Sequence, residues 1–443
     1  MRVPWRVQTW WRDRSLARWR DARLASWQPL AGTVETGRLL ALGDCNLADE
    51  TGAEAAGRGR AGILGPLLRV ADACTLVTAN LESMLAAHGG RNGKTGSFLR
   101  ARPDAVRAFE GGPPAVVTCA NNHCMDHGAA ALLECLSHLD RHGVRAAGAG
   151  ATPAEADAAA VAVAGGVRIG FLGRCDDFRM QPGELARATP ARLDPDALLA
   201  AVAALEREVD LVVVHLHMGY EFELHPLLHH RDLARACARA GADLVLVHHA
   251  HVPMGVEPWG RGLIAHGLGN ACGPMDRYMR DGHPWTDRSC LLEVGFGPKG
   301  LTRYRLHPTR TDASGCMALP DPPEAARLLG GIARMSRRLA DDRLLARITQ
   351  ARFGREGRGH LLALAQAHGR DADAFGEIAA SLCAPRQETL LAHLDGLAPD
   401  AARLLRRVRD EGISAWHEGS FEAIRAPLDA LDPPGRLPPG SVP

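Results

Sequence analysis

The chain of 443 residues contains no run of roughly eighteen apolar residues, so its sequence offers no membrane-spanning helix. Its first segment has no uninterrupted apolar stretch followed by a small-residue cleavage site. No secretory signal peptide is read there, and the expected location is cytoplasmic. An excess of one charge is also missing. The 52 Lys and Arg stand against 51 Asp and Glu, a formal net charge of +1, which argues against a protein that coats nucleic acid. The eleven cysteines include no CxxC pair, which excludes a zinc ribbon or a thioredoxin-like motif. Small buried thiols in a reducing compartment are expected instead. The glycines of Gly148-Ala149-Gly150 come with neither a G-x-G-x-x-G pattern nor a P-loop lysine, so they read as a turn and not as a phosphate cradle.

What is present is enough apolar material, 46% of the chain, for about two or three folded domains. Residues 1–37 form a Trp/Arg-rich N-terminal segment with Trp5, Trp10, Trp11, Trp19 and Trp27 among arginines. Leu16, Trp19, Leu24 and Trp27 recur at helical spacing, bordered by Arg18, Arg20 and Arg23. Two readings stay open for this segment: a helix packing its tryptophans on the main domain, or peripheral contact with an anionic membrane surface.

From residue 38 the texture changes to short apolar runs at 38–45, 75–82, 115–121, 168–175, 210–217, 243–249 and 262–267, separated by Ala-, Leu- and Arg-rich helical stretches. Apolar runs alternating with helices predict an α/β domain with strands buried on both faces, over residues 38–310. Runs at 290–296 and 301–307, joined by Gly-Pro-Lys-Gly, predict a closing hairpin. Beyond it, helix formers dominate residues 311–431 and predict an all-helical C-terminal module. Ala326, Leu328, Leu329, Ile332 and Met335 form one apolar face there, and Leu361, Leu362, Leu364 and Ala365 another. Residues 432–443 are a Pro- and Gly-rich loose tail.

The chemistry gathers at the downstream ends of the runs, where open α/β sheets place their ligand crevice. These ends read Gly43-Asp44-Cys45-Asn46, Asn80-Leu81-Glu82, Asn121-Asn122-His123 with Asp126, His215-Leu216-His217 and His248-His249-Ala250-His251. A lone His, Asp or Asn at a strand end is an ordinary turn or core residue. Five such ends together suit borderline divalent metals, with imidazoles, carboxylates and amide oxygens as ligands. Strand alternation puts His215 on the face of His217 and turns His248 away from His249, which leaves His248 outside the expected site.

The stretches LGDCNL, TANLES, CANNHCMDHG, AGAGATPAEA, VVVHLHMGYEFELHP, AGADLVLVHHAHVPMGVEPW and AHGLGNA, in this order, resemble the CapA (PgsA) group associated with poly-γ-glutamate capsule synthesis, within the calcineurin-like metallophosphoesterase superfamily. The resemblance covers about residues 38–275. It implies a four-layer α/β/β/α sandwich with a centre for two divalent ions, Mn, Fe or Zn, in the loops after the strands. Asp44 and His251 are implied as ligands of the first ion, Glu82 as the bridge, and Asn122, His217 and His249 as ligands of the second. His123 is implied as the acid that protonates the leaving oxygen, with Asp126 orienting it. Asn46, His215, Glu221 and Asn270 are expected to line the site.

The superfamily usually carries His where this chain has Asn46, and Asp where it has Glu82; the second change is associated with the CapA group itself. The function implied is a metal-dependent hydrolase acting on an anionic small-molecule or polymer substrate during capsule-type polymer synthesis. The other reading is a non-catalytic assembly or export factor that keeps the fold.

Overall fold

The computed structural model describes residues 22–32, 34–91, 97–176, 188–275, 279 and 285–349. Nearly all of them belong to one compact unit, Trp19–Asp342. Of the expected N-terminal helix with its stripe of Leu16, Trp19, Leu24 and Trp27, the part before residue 22 lies outside the described residues, as do the apolar face at Leu361 to Ala365, most of the expected helical module and the tail.

Each predicted run forms a strand. In chain order these are β1 (Gly37–Cys45), β2 (Leu76–Leu81), β3 (Ala115–Thr118), β4 (Arg145–Ala147), β5 (Ala160–Ala164), β6 (Val167–Cys175), β7 (Leu211–His217), β8 (Leu244–His248), β9 (Val256–Trp259), β10 (Gly262–Ala265), β11 (Asn270–Cys272), β12 (Arg288–Gly297) and β13 (Gly300–Thr311). The helices used below are α1 (Asp49–Arg58), α2 (Gly128–Arg141), α3 (Pro195–Leu205), α4 (Leu228–Ala240) and α5 (Pro322–Arg338). The first sheet runs β13-β12-β1-β2-β3-β4, with β11 beside β1 and short strands Gln28–Pro29 and Met317–Ala318 on β13. The second runs β9-β10-β8-β7-β6-β5. β1 through β4 are mutually parallel, as are β6, β7, β8 and β10, while β12 and β13 form the antiparallel hairpin. β4, β5, β9 and β11 escape the sequence reading because they are short or alanine-rich, with too few β-branched residues to stand out.

Side-chain alternation sorts the residues into three cores and so fixes the layer order. Leu40, Leu42, Val77 and Val117 pack outward with Ala55 of α1 and Leu132, Cys135 and Leu139 of α2. Leu39, Ala41, Leu76 and Val116 face Ile169, Phe171, Leu211, Val213, Leu244 and Leu246 across the two sheets. Val212, Val214, Leu216, Val245 and Val247 pack outward with Leu198 and Val202 of α3 and Ala234 and Cys237 of α4. The result is a helix, sheet, sheet, helix sandwich, in which each fully buried aliphatic or Phe side chain stabilises by about 1.5–3 kcal/mol. α5 begins at Asp321, whose carboxylate accepts the Glu324 N–H ahead of a proline, and it contributes Leu328, Leu329, Ile332 and Met335 to the core between the sheets. Trp27 lies under Arg303 and Arg305 of β13, at 4.0 and 4.5 Å. All ten described cysteines are buried. Among the described residues no helix is long and apolar enough to cross a membrane.

Two irregularities aim residues at the space between the sheets. From Leu39 and Ala41, strict alternation would turn Gly43 inward and Asp44 toward the helices. A register shift between Ala41 and Asp44 adds a residue and brings Asp44 inward beside Asn80. Gly43 permits this, since a Cβ there would lie 1.9 Å from the Gly269 carbonyl oxygen. In β8, Leu244 and Leu246 face the other sheet, so His248 does as well. The chain then bends through His249 at φ 93° and His251 at φ 56°. Left-handed backbone at a residue with a Cβ costs about 1–3 kcal/mol and concentrates at functional sites.

Candidate functional site

The strand ends of the two sheets meet at one place, and the sheets bring different atoms to it. The first sheet supplies oxygens: Asp44 is the penultimate residue of β1, and Glu82 follows β2 with its side chain 2% exposed. The second supplies imidazoles: His217 ends β7, His248 ends β8, and His249 and His251 follow on the bend.

Asp44 is held on both oxygens. Its Oδ1 accepts from Asn80 Nδ2 at 2.9 Å and lies 3.0 Å from His248 Nδ1; its Oδ2 accepts the His249 N–H at 3.2 Å and lies 3.4 Å from His251 Nδ1. Burial would raise its pKa, but the His248 contact and the charge of His251 hold it well below the usual carboxylate range. Asn80 is in turn fixed by Asn121, which donates to Asn80 Oδ1 at 3.1 Å and to the Leu81 carbonyl at 2.8 Å.

Glu82 is treated differently. Its Oε1 is buried with no hydrogen-bond partner, and the nearest imidazole nitrogens, His251 Nε2 and His217 Nε2, stand off at 3.7 and 4.0 Å. Burial, then the charges of Asp44, Glu221 and Asp126, push its pKa up to about 8 against the pull of His251. His251 is raised to about 9, because Glu82 and Asp44 outweigh the effect of burial. His251 Nδ1 is tied to Asn270 Oδ1 at 2.8 Å, so Nε2 is the nitrogen directed at Glu82.

His217 Nε2 is 3.0 Å from Asn122 Oδ1, and the His217 and His249 rings are 4.8 Å apart. Burial first, and His249 second, lower the His217 pKa well below its ordinary value. His123 Nδ1 pairs with Asp126 Oδ2 at 2.8 Å, and that oxygen also accepts the Leu99 N–H at 2.7 Å. The pairing fixes the imidazole of His123 through Nδ1.

The structure therefore gathers Asp44, Glu82, Asn122, His217, His249 and His251, with Asn270 behind His251. Asp44, Glu82 and His251 offer donor atoms within 4.8 Å of one another, and so do Glu221, His249 and His251. These donors, together with the orphaned Glu82 oxygen, fit divalent cations of the Mn, Fe or Zn type. Asn46 is not directed there: its Oδ1 accepts the Ala48 N–H at 3.1 Å. His215 lies one contact further in, against Thr78 and His248.

Three residues of this network escape the sequence reading. Asn80 and Asn121 look like ordinary strand-end amides, and only their mutual contact reveals that they hold Asp44. His248 is a correction: it shares the face of Leu244 and Leu246 and so meets Asp44, and the φ of 93° at His249 breaks the alternation expected to separate the two histidines. Counting parity forward from Leu244 and Leu246 would have found it.

A family profile described as bacterial capsule synthesis protein PGA_cap matches residues 38–274. Among curated relatives, a PGA biosynthesis protein CapA of Bacillus subtilis is 28% identical over 213 residues, covering 47% of this chain and 54% of that one. A capsule biosynthesis protein CapA of Bacillus anthracis is 30% identical over 183 residues, covering 39% and 43%. The chain thus spans about half the length of these curated relatives. A solved structure of a putative 5′-nucleotidase from Staphylococcus aureus superposes with a TM-score of 0.39 at 13% identity, covering 66% of this chain and 57% of that one.

Proposed function

The chain belongs to the bacterial capsule synthesis family PGA_cap, and on that premise we propose that it is a metal-dependent hydrolase of phosphoesterase type serving the synthesis of an anionic capsule polymer such as poly-γ-glutamate. One observation carries the reading: Glu82 Oε1, buried and without a donor, lies between imidazole nitrogens of the opposite sheet at 3.7 and 4.0 Å. A buried carboxylate left in this way is costly, and a divalent cation among these atoms removes the cost.

In this reading Asp44, Glu82 and His251 would hold one ion, and Asn122, His217 and His249, with Glu82 between the two sets, would hold a second. When bound, the ions supply electrophilic stabilisation of an anionic transition state and acidify the attacking water. His123, its Nδ1 anchored on Asp126, presents Nε2 to protonate the leaving oxygen. The low pKa of His217 keeps its ring neutral and available as a ligand near pH 7.

The test is turnover of generic phosphomonoesters and phosphodiesters by metal-loaded protein, compared with His123→Ala. Activity lost in the variant, with metal content unchanged, supports the hydrolase. Fully loaded wild type without turnover on any such substrate favours a non-catalytic assembly factor, in which the ions only fasten the sheets together.

A further inference from the structure

We infer that His225, Arg334 and Arg338 form an anion subsite at the rim of the ion site, where one carboxylate or phosphate group of a bound substrate chain is held. The inference rests on the reading of the ion site as the reaction centre and adds three residues that take no part in the ion site itself.

The position follows from how α5 packs. Gly331, Arg334 and Arg338 fall on one stripe of that helix. A Cβ at Gly331 would lie 2.6 Å from the Trp285 ring, so the stripe runs along this tryptophan. Trp285 and Leu224 both pack against Ala250, Val252 and Met254, the residues around the bend that carries His251. Leu224 also packs on the core that α5 lines, and His225 follows it in the chain.

What these groups lack is a counter-charge. Among the described residues no carboxylate pairs with Arg334 or Arg338. Both are half-buried and stand one helical turn apart, a spacing at which like charges repel. Burial and the charge of Arg334 lower the pKa of Arg338 against the weaker pull of Asp341. His225 is 8% exposed, and its Nε2 is buried without a hydrogen-bond partner. Burial, then Arg338 and Arg334, push its pKa down to about 4.

Closure of the helix end does not account for these arginines. The Leu339 carbonyl there accepts from Arg231 Nη1 at 2.8 Å and from Arg235 Nη2 at 3.1 Å, both on α4. That second pair is spaced in the same way, yet Arg231 is matched by Asp232 and Asp342, and Arg235 by Glu257. An oxyanion between Arg334 and Arg338 would do for the first pair what these acids do for the second, and would give the buried Nε2 an acceptor for a ring hydrogen.

Calorimetric titration of the full, chelator-treated chain with inorganic phosphate and with glutarate tests this. Wild type is expected to bind one anion; Arg334→Gln and Arg338→Gln should each weaken binding about 10-fold, and His225→Leu about 3-fold. His251→Ala should bind as wild type does, which sets the subsite apart from the ion ligands. Tighter binding of glutarate assigns the subsite to a carboxylate-bearing chain, and tighter binding of phosphate to a phosphorylated one. In anion-free buffer the two arginine variants should melt no lower than wild type, since each loses only a repulsion. Wild type that binds neither anion, arginine variants that bind like wild type, or binding lost in His251→Ala instead would overturn the proposal. A lower melting point of either arginine variant without anion would do the same, by revealing a partner within the protein. If His225→Leu does not fold, the arginine variants decide. The titration needs neither metal nor turnover, so its outcome is separate from whether the chain is a hydrolase.

Discussion

Two carboxylates of the first sheet, Glu293 on β12 and Glu82 after β2, are both hidden from solvent and treated in opposite ways. Glu293 accepts from Arg38 at 3.0 Å, from Arg305 at 2.7 Å and from His307 at 2.8 Å. Burial would raise its pKa, but these three partners bring it down to about 2. Glu82 has no such partner on Oε1 and is raised to about 8. One carboxylate is complete within the protein, and the other is complete only with something added. Burial alone does not mark a functional group; burial without a partner does.

The sharpest way to break this contrast is to remove the two imidazoles that the bend after β8 brings to the site. His249→Ala with His251→Ala should take metal content from about two equivalents per chain to none, measured elementally on protein purified without chelator. Glu82→Gln should lose the metal as well, yet leave the metal-free protein no less stable than wild type, since it removes a strained buried acid.

Glu293→Gln should do the reverse, costing about 3 kcal/mol in denaturant unfolding because Arg38, Arg305 and His307 lose their shared carboxylate, while metal content stays the same. Retained stability in Glu293→Gln, or retained metal in Glu82→Gln, would erase the distinction.

The two groups should also differ in the sign of their pH dependence. Glu293 contributes stability that is fully present above its unfolded pKa of 4.5 and lost as pH falls toward 2. For Glu82 in metal-free protein the folded state holds the proton more tightly, so stability should fall as pH rises from about 4.5 to about 8. Urea midpoints across both windows check this, and each Gln variant should flatten only its own window. The smallest effect is expected for Asn46→Ala, about 0.5–1.5 kcal/mol from the lost hydrogen bond to Ala48, with metal content unaltered.

Much of this fold can be read from the chain because its strands are buried on both faces and announce themselves as continuous apolar runs. The run at 210–217 already shows that Leu211, Val213, His215 and His217 share a face, and they do. The resemblance of motifs names the residues that gather at the strand ends. What composition and spacing could not supply is the local backbone. The extra residue between Ala41 and Asp44 and the left-handed bend at His249 and His251 both reverse the face that alternation assigns. Glu293 is equally silent in sequence, because its three partners come from β1 and β13 and meet only once the hairpin is paired.

The division of donors between the sheets, oxygens on one and imidazoles on the other, bears on when the chain can first take up an ion. Asp44 and Glu82 leave the ribosome well before His217, His249 and His251, and until the second sheet has formed they are two acids with no imidazole beside them. Such a fragment holds a borderline cation weakly, so capture is deferred to the moment the sheets close on each other. An ion at the proposed site would then be a late lock on a finished domain, and unfinished chains would not drain metal from their surroundings.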